Sequence, residues 1–463
     1  MAFCSSEYIF CFLPLFLVLY YIVPKGKNFI LLVGSLVFYA VGDLRFTPLF
    51  LVSLIINYTI AILIEKNKVR ARKRLSKNLV KNKRVLLIAS IVFNAGMLFL
   101  FKYFTFFTGV ETNWGLPLGI SFYTFQIISY VADVYNNKTK AEINFIDLGV
   151  YLCMFPQVVQ GPIIRYPDIK EQLKQRTFVY EEFLDGLKIF ILGLGAKMII
   201  ADMMGMCWNS TQMYGIESIS TKMAWMAMFA YTFQIYFDFW GYSLMAKGIG
   251  KMIGFDIPDN FNNPYMSKSV TDFWRRWHIT LGSWFRDYIY IPLGGNRKGT
   301  ARTVLNTFVV WALTGLWHGA SWNFVLWGIL FFVLLNIEKF GLKKILDKVP
   351  LLGNLYIIIV IPFSWVIFAL TNLKDIGIYF AKLFPGISHI STEYVSTTDF
   401  AENIKNYWIF FLLAIIFSFE YPQKLYKKHK KTIVVAVILL LIFWISIYRV
   451  LTSDSNPFMY AQF

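Results

Sequence analysis

The chain has 463 residues, is 57% hydrophobic and 19% aromatic, carries charge on only 16% of its positions and has a mean hydropathy of +0.54. Soluble domains carry about a quarter charged residues, so the composition excludes an ordinary soluble protein and predicts an all-α, polytopic membrane protein of about 11–13 transmembrane helices plus re-entrant or amphipathic ones. The apolar runs are continuous rather than alternating, which excludes a transmembrane β-barrel, and the net charge of +18 is too localised to argue for nucleic acid.

In chain order, apolar runs at 8–24, 28–42 and 46–64 come first. No positively charged leader precedes them, and Glu7 is the only early charge, so the first run is expected to be a retained span. Segment 65–84 follows as a basic loop with ten Lys or Arg and one Glu. Segments 339–348 and 423–431 are the other basic stretches, and the three together hold 17 of the 18 net charges. Each abuts an apolar run, which predicts a cytoplasmic position beside anionic lipid headgroups. Three crossings before residue 65 put the N-terminus outside. Counting back from 423–431 puts 451–463 outside as well, together with 372–406 and its His389.

The middle of the chain is apolar but interrupted. Segments 115–135, 144–163 and 241–268 contain LPLGISFYTFQ, FPQVVQGPIIRYPD and FNNPYM. Broken backbone at membrane depth persists only where protein or water satisfies it, so these segments are expected to surround a cavity. The organisation expected is one membrane domain, with N-terminal spans in 1–113, a core in 114–338 and C-terminal spans in 339–463. Four dispersed cysteines, without a Cys-x-x-Cys pair, read as buried thiols, and four dispersed histidines give no metal site.

Ionisable groups concentrate in VTDFWRRWHITLGSWFRDYIYIPLGGNR, residues 270–297. Such groups are costly at membrane depth unless paired or set in a wet cavity, which marks this segment for chemistry or transport. Asp272 to Ile291 is expected as one amphipathic helix with Ser269 or Thr271 as N-cap, ended by Pro292 and Gly294–Gly295. Trp274, Trp277, His278 and Leu281 would share a face, and Asp272 is spaced to pair with Arg276. An interfacial helix with headgroup-level tryptophans and phosphate-bound arginines explains the same pattern. In TGLWHGASWN, Gly315 and Gly319 permit close helix approach and should enclose His318. A buried imidazole is held neutral and suits a general base. A packed histidine bonded to a carbonyl is the equal alternative.

The stretches FWRRWHITLGSWFRDYIYIPLGGNR and LTGLWHGASWNFVLWG, with the opening FCSSEYIFCFLPLFLVLYYIVP, FPQVVQGPIIRY and the terminal PFMYAQF, resemble the membrane-bound O-acyltransferase family along nearly the whole chain. They are most similar to its bacterial alginate O-acetyltransferase branch. The resemblance implies helices ringed around a tunnel in the bacterial cytoplasmic membrane. Catalysis would fall to His318, matching the family's invariant histidine, and to His278. Donor or substrate binding would fall to Trp274, Arg275, Arg276, Trp277, Arg286, Asp287, Tyr290, Asn296, Arg297, Trp317 and Asn323. It further implies an acyl thioester co-substrate (acetyl-CoA or an acyl-carrier protein) rather than a bound cofactor. The acceptor would be a cell-surface polysaccharide, reached through an extracytoplasmic SGNH-type partner. A related branch transfers D-alanine toward teichoic acid, and PLGGNR favours the alginate-type branch over it. A transporter or flippase, or a non-catalytic scaffold, are the readings from other classes.

Overall fold

An apolar segment in lipid satisfies its backbone N–H and C=O groups internally, and helix is the single-segment way to do so. The computed structural model describes residues 3–74, 77–386, 395–452 and 458–459, and it is helical throughout apart from connecting loops and one isolated β-bridge between Phe261 and Trp277. His389 lies outside the described residues. Seven helices among those described are long and apolar enough to cross a membrane, from Lys27–Val69 to Ile433–Thr452. In the terminal span Ile433–Thr452 apolar side chains face outward, Trp444 and Leu441 at 58% exposure each, which suits hydrocarbon rather than water.

The seven are fewer than the span count expected from length. The runs at 28–42 and 46–64 join through a short 3₁₀ turn, Leu44–Phe46, into one candidate span. Others form shorter helices, such as Tyr8–Ile22, Ile120–Tyr135 and Phe145–Cys153. The three basic segments are also more helical than loops. Thr47–Arg74 and Lys77–Leu98 extend through most of 65–84, Glu420–His429 holds much of 423–431, and Lys343–Lys348 much of 339–348. Lys and Arg are good helix formers, so a span can continue past the bilayer without losing its hydrogen-bond ladder.

The residues fall into two compact units, Met1–Phe190 with Ser243–Pro258, and Ile191–Tyr242 with Asp259–Phe463. In the first, helices Thr47–Arg74 and Lys77–Leu98 are tied by a buried polar cluster. Asn94 donates to Asn57 Oδ1 at 2.9 Å, Ser90 donates to the same oxygen at 2.7 Å, and Asn57 donates back to Asn94 Oδ1 at 3.2 Å. In an apolar environment such bonds are the specific glue between helices. The Tyr20 hydroxyl donates to Ile253 O at 2.7 Å, and Arg176 lies 4.3 Å over the Phe255 ring.

Helix Thr221–Met252 is continuous, so the break expected over 241–268 begins only after Met252. Lys197 bridges Asp202 and Asp238 at 2.8 Å each, all three buried, and Met459 N–H donates to Asp238 at 3.0 Å. Helices Thr300–His318 and Trp322–Ile337 pack backbone to backbone. A Cβ at Gly315 would meet Phe324 O at 2.4 Å, and one at Gly328 would meet Trp311 O at 2.6 Å. Only glycine allows this approach, and it fixes where His318 stands.

Candidate functional site

The expected single helix over 272–291 is two helices. Val270–Arg276 starts at Ser269, whose hydroxyl accepts from Asp272 N–H at 3.0 Å, as the N-cap expectation held. It stops at Trp277, and His278 takes a left-handed backbone with φ 46° before Ile279–Phe285 resumes. The cause is pairing with a distant segment. Asn262 N–H donates to Arg276 O at 2.9 Å and Ile279 N–H to Asn260 O at 3.0 Å, drawing the chain out of its helix. A non-glycine residue stays left-handed only where its surroundings over-determine it.

The break turns His278 inward. A cavity of about 700 Å³ within the second unit is lined by Trp274, Arg275, Trp277, His278, Arg286, Tyr290 and His318, all anticipated from sequence. It is also lined by Lys339 and Lys343, which sequence reasoning assigned only to a basic loop. Their placement follows from Glu338. This buried carboxylate accepts from Thr271 N–H at 2.9 Å and Thr271 Oγ1 at 2.6 Å, and also from Val270 N–H, so it caps the Val270–Arg276 helix. An anion at a helix N-terminus is favourable, and this one brings its neighbouring lysine to the cavity mouth. The signal was present in the sequence as an acid inside an otherwise apolar and basic run.

Other expected residues have different surroundings. Arg276 pairs with Asp272 at 3.1 Å, as the spacing predicted, and does not line the cavity. Asp287 holds Arg286 through two contacts of 2.6 and 3.3 Å. Trp317 is buried between the two histidines, 6.0 Å from the His278 ring and 5.0 Å from that of His318. Asn296 and Arg297 are exposed and outside the cavity. Asn323 donates to Ile367 O at 3.2 Å and Phe368 O at 2.9 Å at the end of the Pro350–Ala369 helix, and it does not line the cavity.

The two histidines have different shells. His318, 3% exposed, is the last residue of its helix and is ringed by Trp327 and Phe368, each 5.1 Å away centre to centre. His278 is 2% exposed, with Phe239 edge-on at 4.7 Å and Asn260 Oδ1 3.2 Å from its Nδ1. Burial pushes the His278 ring down to about 3, so it is unprotonated at neutral pH. Its Nε2 and the Trp274 Nε1 are buried without a hydrogen-bond partner among the described residues. Among the described residues no carboxylate lines the cavity, and with Arg286 paired to Asp287 its positive field comes from Arg275, Lys339 and Lys343. Such a site suits an anionic, phosphate-bearing ligand with an uncharged reacting end.

A model of the MBOAT, membrane-bound O-acyltransferase, family matches residues 33–380. A probable alginate O-acetylase from Azotobacter vinelandii is 38% identical over 403 residues, covering 83% of this chain and 78% of the relative. A peptidoglycan O-acetyltransferase from Helicobacter pylori is 30% identical over 524 residues, covering 98% and 96%. A teichoic acid D-alanyltransferase from Bacillus subtilis is 30% identical over 240 residues, covering 48% and 59%.

Proposed function

The chain belongs to the membrane-bound O-acyltransferase family, a multi-pass bacterial membrane acyltransferase, and on that premise we propose that it moves an acetyl group from a cytoplasmic thioester to hydroxyls of a cell-surface polysaccharide. The observation that carries this reading is the convergence of His278, His318 and four cationic side chains on one cavity that no carboxylate lines among the described residues. The cations Arg275, Arg286, Lys339 and Lys343 meet the phosphates of the donor, acetyl-CoA or an acyl-carrier protein. His318 removes the proton of the acceptor hydroxyl as its oxygen attacks the thioester carbonyl. The carbon–sulfur bond then breaks, and the leaving thiolate takes up the proton from His318. A general base contributes roughly 10²–10⁴-fold, and the aromatic enclosure of His318 keeps water from competing.

The acetyl reading is favoured over D-alanyl transfer by how much of the chain each relative covers, 83% and 98% against 48%. The chain would work with membrane lipids around it and an SGNH-type partner completing transfer to the glycan. The test is His318→Ala in intact cells. Surface O-acetyl should fall by about 10²–10⁴-fold while the protein inserts at normal abundance. Near-normal acetylation would reject His318 as the base. Label crossing the membrane without release of free thiol would instead make the protein a transporter.

A further inference from the structure

Asn260 belongs to the irregular stretch between Met252 and Val270 and was not singled out by any sequence motif. Its side-chain oxygen makes three contacts with two neighbours. Thr280 donates to it twice, from the backbone N–H at 3.2 Å and from the hydroxyl at 2.9 Å, and His278 Nδ1 lies 3.2 Å away. A backbone N–H can only donate, so the amide must present its oxygen here. The reverse orientation would set an NH₂ group against the Thr280 N–H. An amide oxygen in turn can only accept, so the ring nitrogen facing it carries the proton. A neutral imidazole protonated on Nδ1 has its lone pair on Nε2. That atom is buried, without a protein partner among the described residues, on a ring that lines the cavity.

We infer that Asn260 is a positioning residue, which holds His278 as the Nδ1–H tautomer so that Nε2 offers a proton-accepting lone pair to the cavity. The backbone reinforces this. Asn260 O accepts from Ile279 N–H at 3.0 Å, and Phe261 bridges to Trp277, so amide and ring are carried on paired segments on either side of the left-handed residue. The inference rests on the acyl-transfer reading of this cavity and narrows the role of His278 within it. In this state the ring can receive an O–H or N–H of a bound substrate. It has no N–H to give to the thioester carbonyl, so oxyanion stabilisation must come from another donor.

The charged and titratable groups facing the same cavity are Arg275, Arg286, Tyr290, His318, Lys339 and Lys343. Phe239 and Trp317 cover the remaining faces of the His278 ring and do not titrate. No carboxylate on these elements lines the cavity, so a negative charge placed at position 260 would be the nearest one and its effect on the ring would be legible.

The experiment uses the full chain in lipid nanodiscs with ¹⁵N-labelled histidine, the His278 signals being those lost in His278→Gln. The wild type should show Nδ1 as the protonated, pyrrole-type nitrogen and Nε2 as the pyridine-type one. The opposite assignment overturns the proposal. Asn260→Leu should let the two tautomers mix, and an unchanged spectrum would show that Asn260 does not set the state. Should the leucine variant fail to fold, Asn260→Asp decides: it keeps both contacts and should raise the pH at which His278 protonates, and an unmoved titration counts against the assignment. Surface acetylation should drop on the order of 10–100-fold in Asn260→Leu, the size typical of losing a partner that orients a functional histidine, and recover in part in Asn260→Asp. Full acetylation in His278→Ala with the expected spectra would remove His278 from the transfer reaction yet leave its tautomer as assigned. The two failures are therefore distinguishable.

Discussion

Lys197 is enclosed by Asp202 and Asp238 at 2.8 Å each, with Met459 N–H on the second carboxylate. Arg275, Arg286, Lys339 and Lys343, in the same unit, line a cavity that has no carboxylate in its wall among the described residues. In the first cluster the lysine is matched by two carboxylates, so no positive charge is left over for a ligand. The second leaves positive charge and two unpartnered polar atoms, Trp274 Nε1 and His278 Nε2, on cavity-lining side chains. Buried charge alone therefore does not mark function. What sets the second region apart is a pair of buried ring nitrogens left without partners among the described residues, beside cations that stay exposed or half-buried.

The sharpest way to break the comparison is Lys197→Met. Removing one member of a buried ion cluster leaves the others uncompensated, and about 3–5 kcal/mol of stability should be lost. The expected readout is loss of the monodisperse peak on size exclusion, or a large fall in unfolding temperature in detergent. Adding Asp202→Asn and Asp238→Asn should restore much of it, because a neutral site no longer needs its cation. A Lys197→Met protein as stable as wild type would show the cluster is not structural, and the contrast with the cavity would fail.

A smaller effect is expected at Asn323. Sequence reasoning placed it with the substrate, but its amide closes the orphan carbonyls of Ile367 and Phe368, and Phe368 packs on His318. Asn323→Ala should cost roughly 1–3 kcal/mol by leaving those carbonyls unsatisfied. If the residue acts through Phe368, kcat should fall with KM unchanged. A rise in KM alone would return Asn323 to direct binding.

The helical membrane character was legible because continuous apolar runs leave the backbone a single solution, and the enclosure of His318 was legible in the spacing of Gly315 and Gly319. The break at His278 was not. No glycine or proline sits at Trp277–His278, and the helix is interrupted by backbone pairing with Asn260, which accepts from Ile279, and Asn262, which donates to Arg276, both outside any helical period. Tertiary pairing overrode local propensity there. For the same reason Asn260 was invisible, its meaning residing in the orientation of one amide. The cavity position of Lys339 and Lys343 was not legible because charge bias reports the side of a membrane and carries no information about which basic residues a buried acid such as Glu338 draws toward a cavity.

Those two lysines give the mildest test. Lys339 is exposed and Lys343 half-buried, so each contact with a phosphate-bearing donor is worth about 0.2–1 kcal/mol after solvent screening. The double variant Lys339→Ala/Lys343→Ala should thus raise the donor KM by roughly 2- to 30-fold at low salt, with kcat nearly constant, since charge on a remote part of the donor is equally present in ground and transition states. Raising ionic strength to a level where the Debye length falls well below about 10 Å should weaken the wild type more than the variant, bringing the two KM values together. A fall in kcat at constant KM would move the lysines from donor capture to the reacting centre. A KM insensitive to both substitution and salt would mean that the positive wall of the cavity does not meet the donor's phosphates, and the contrast with the self-neutralised Lys197 cluster would carry no functional meaning.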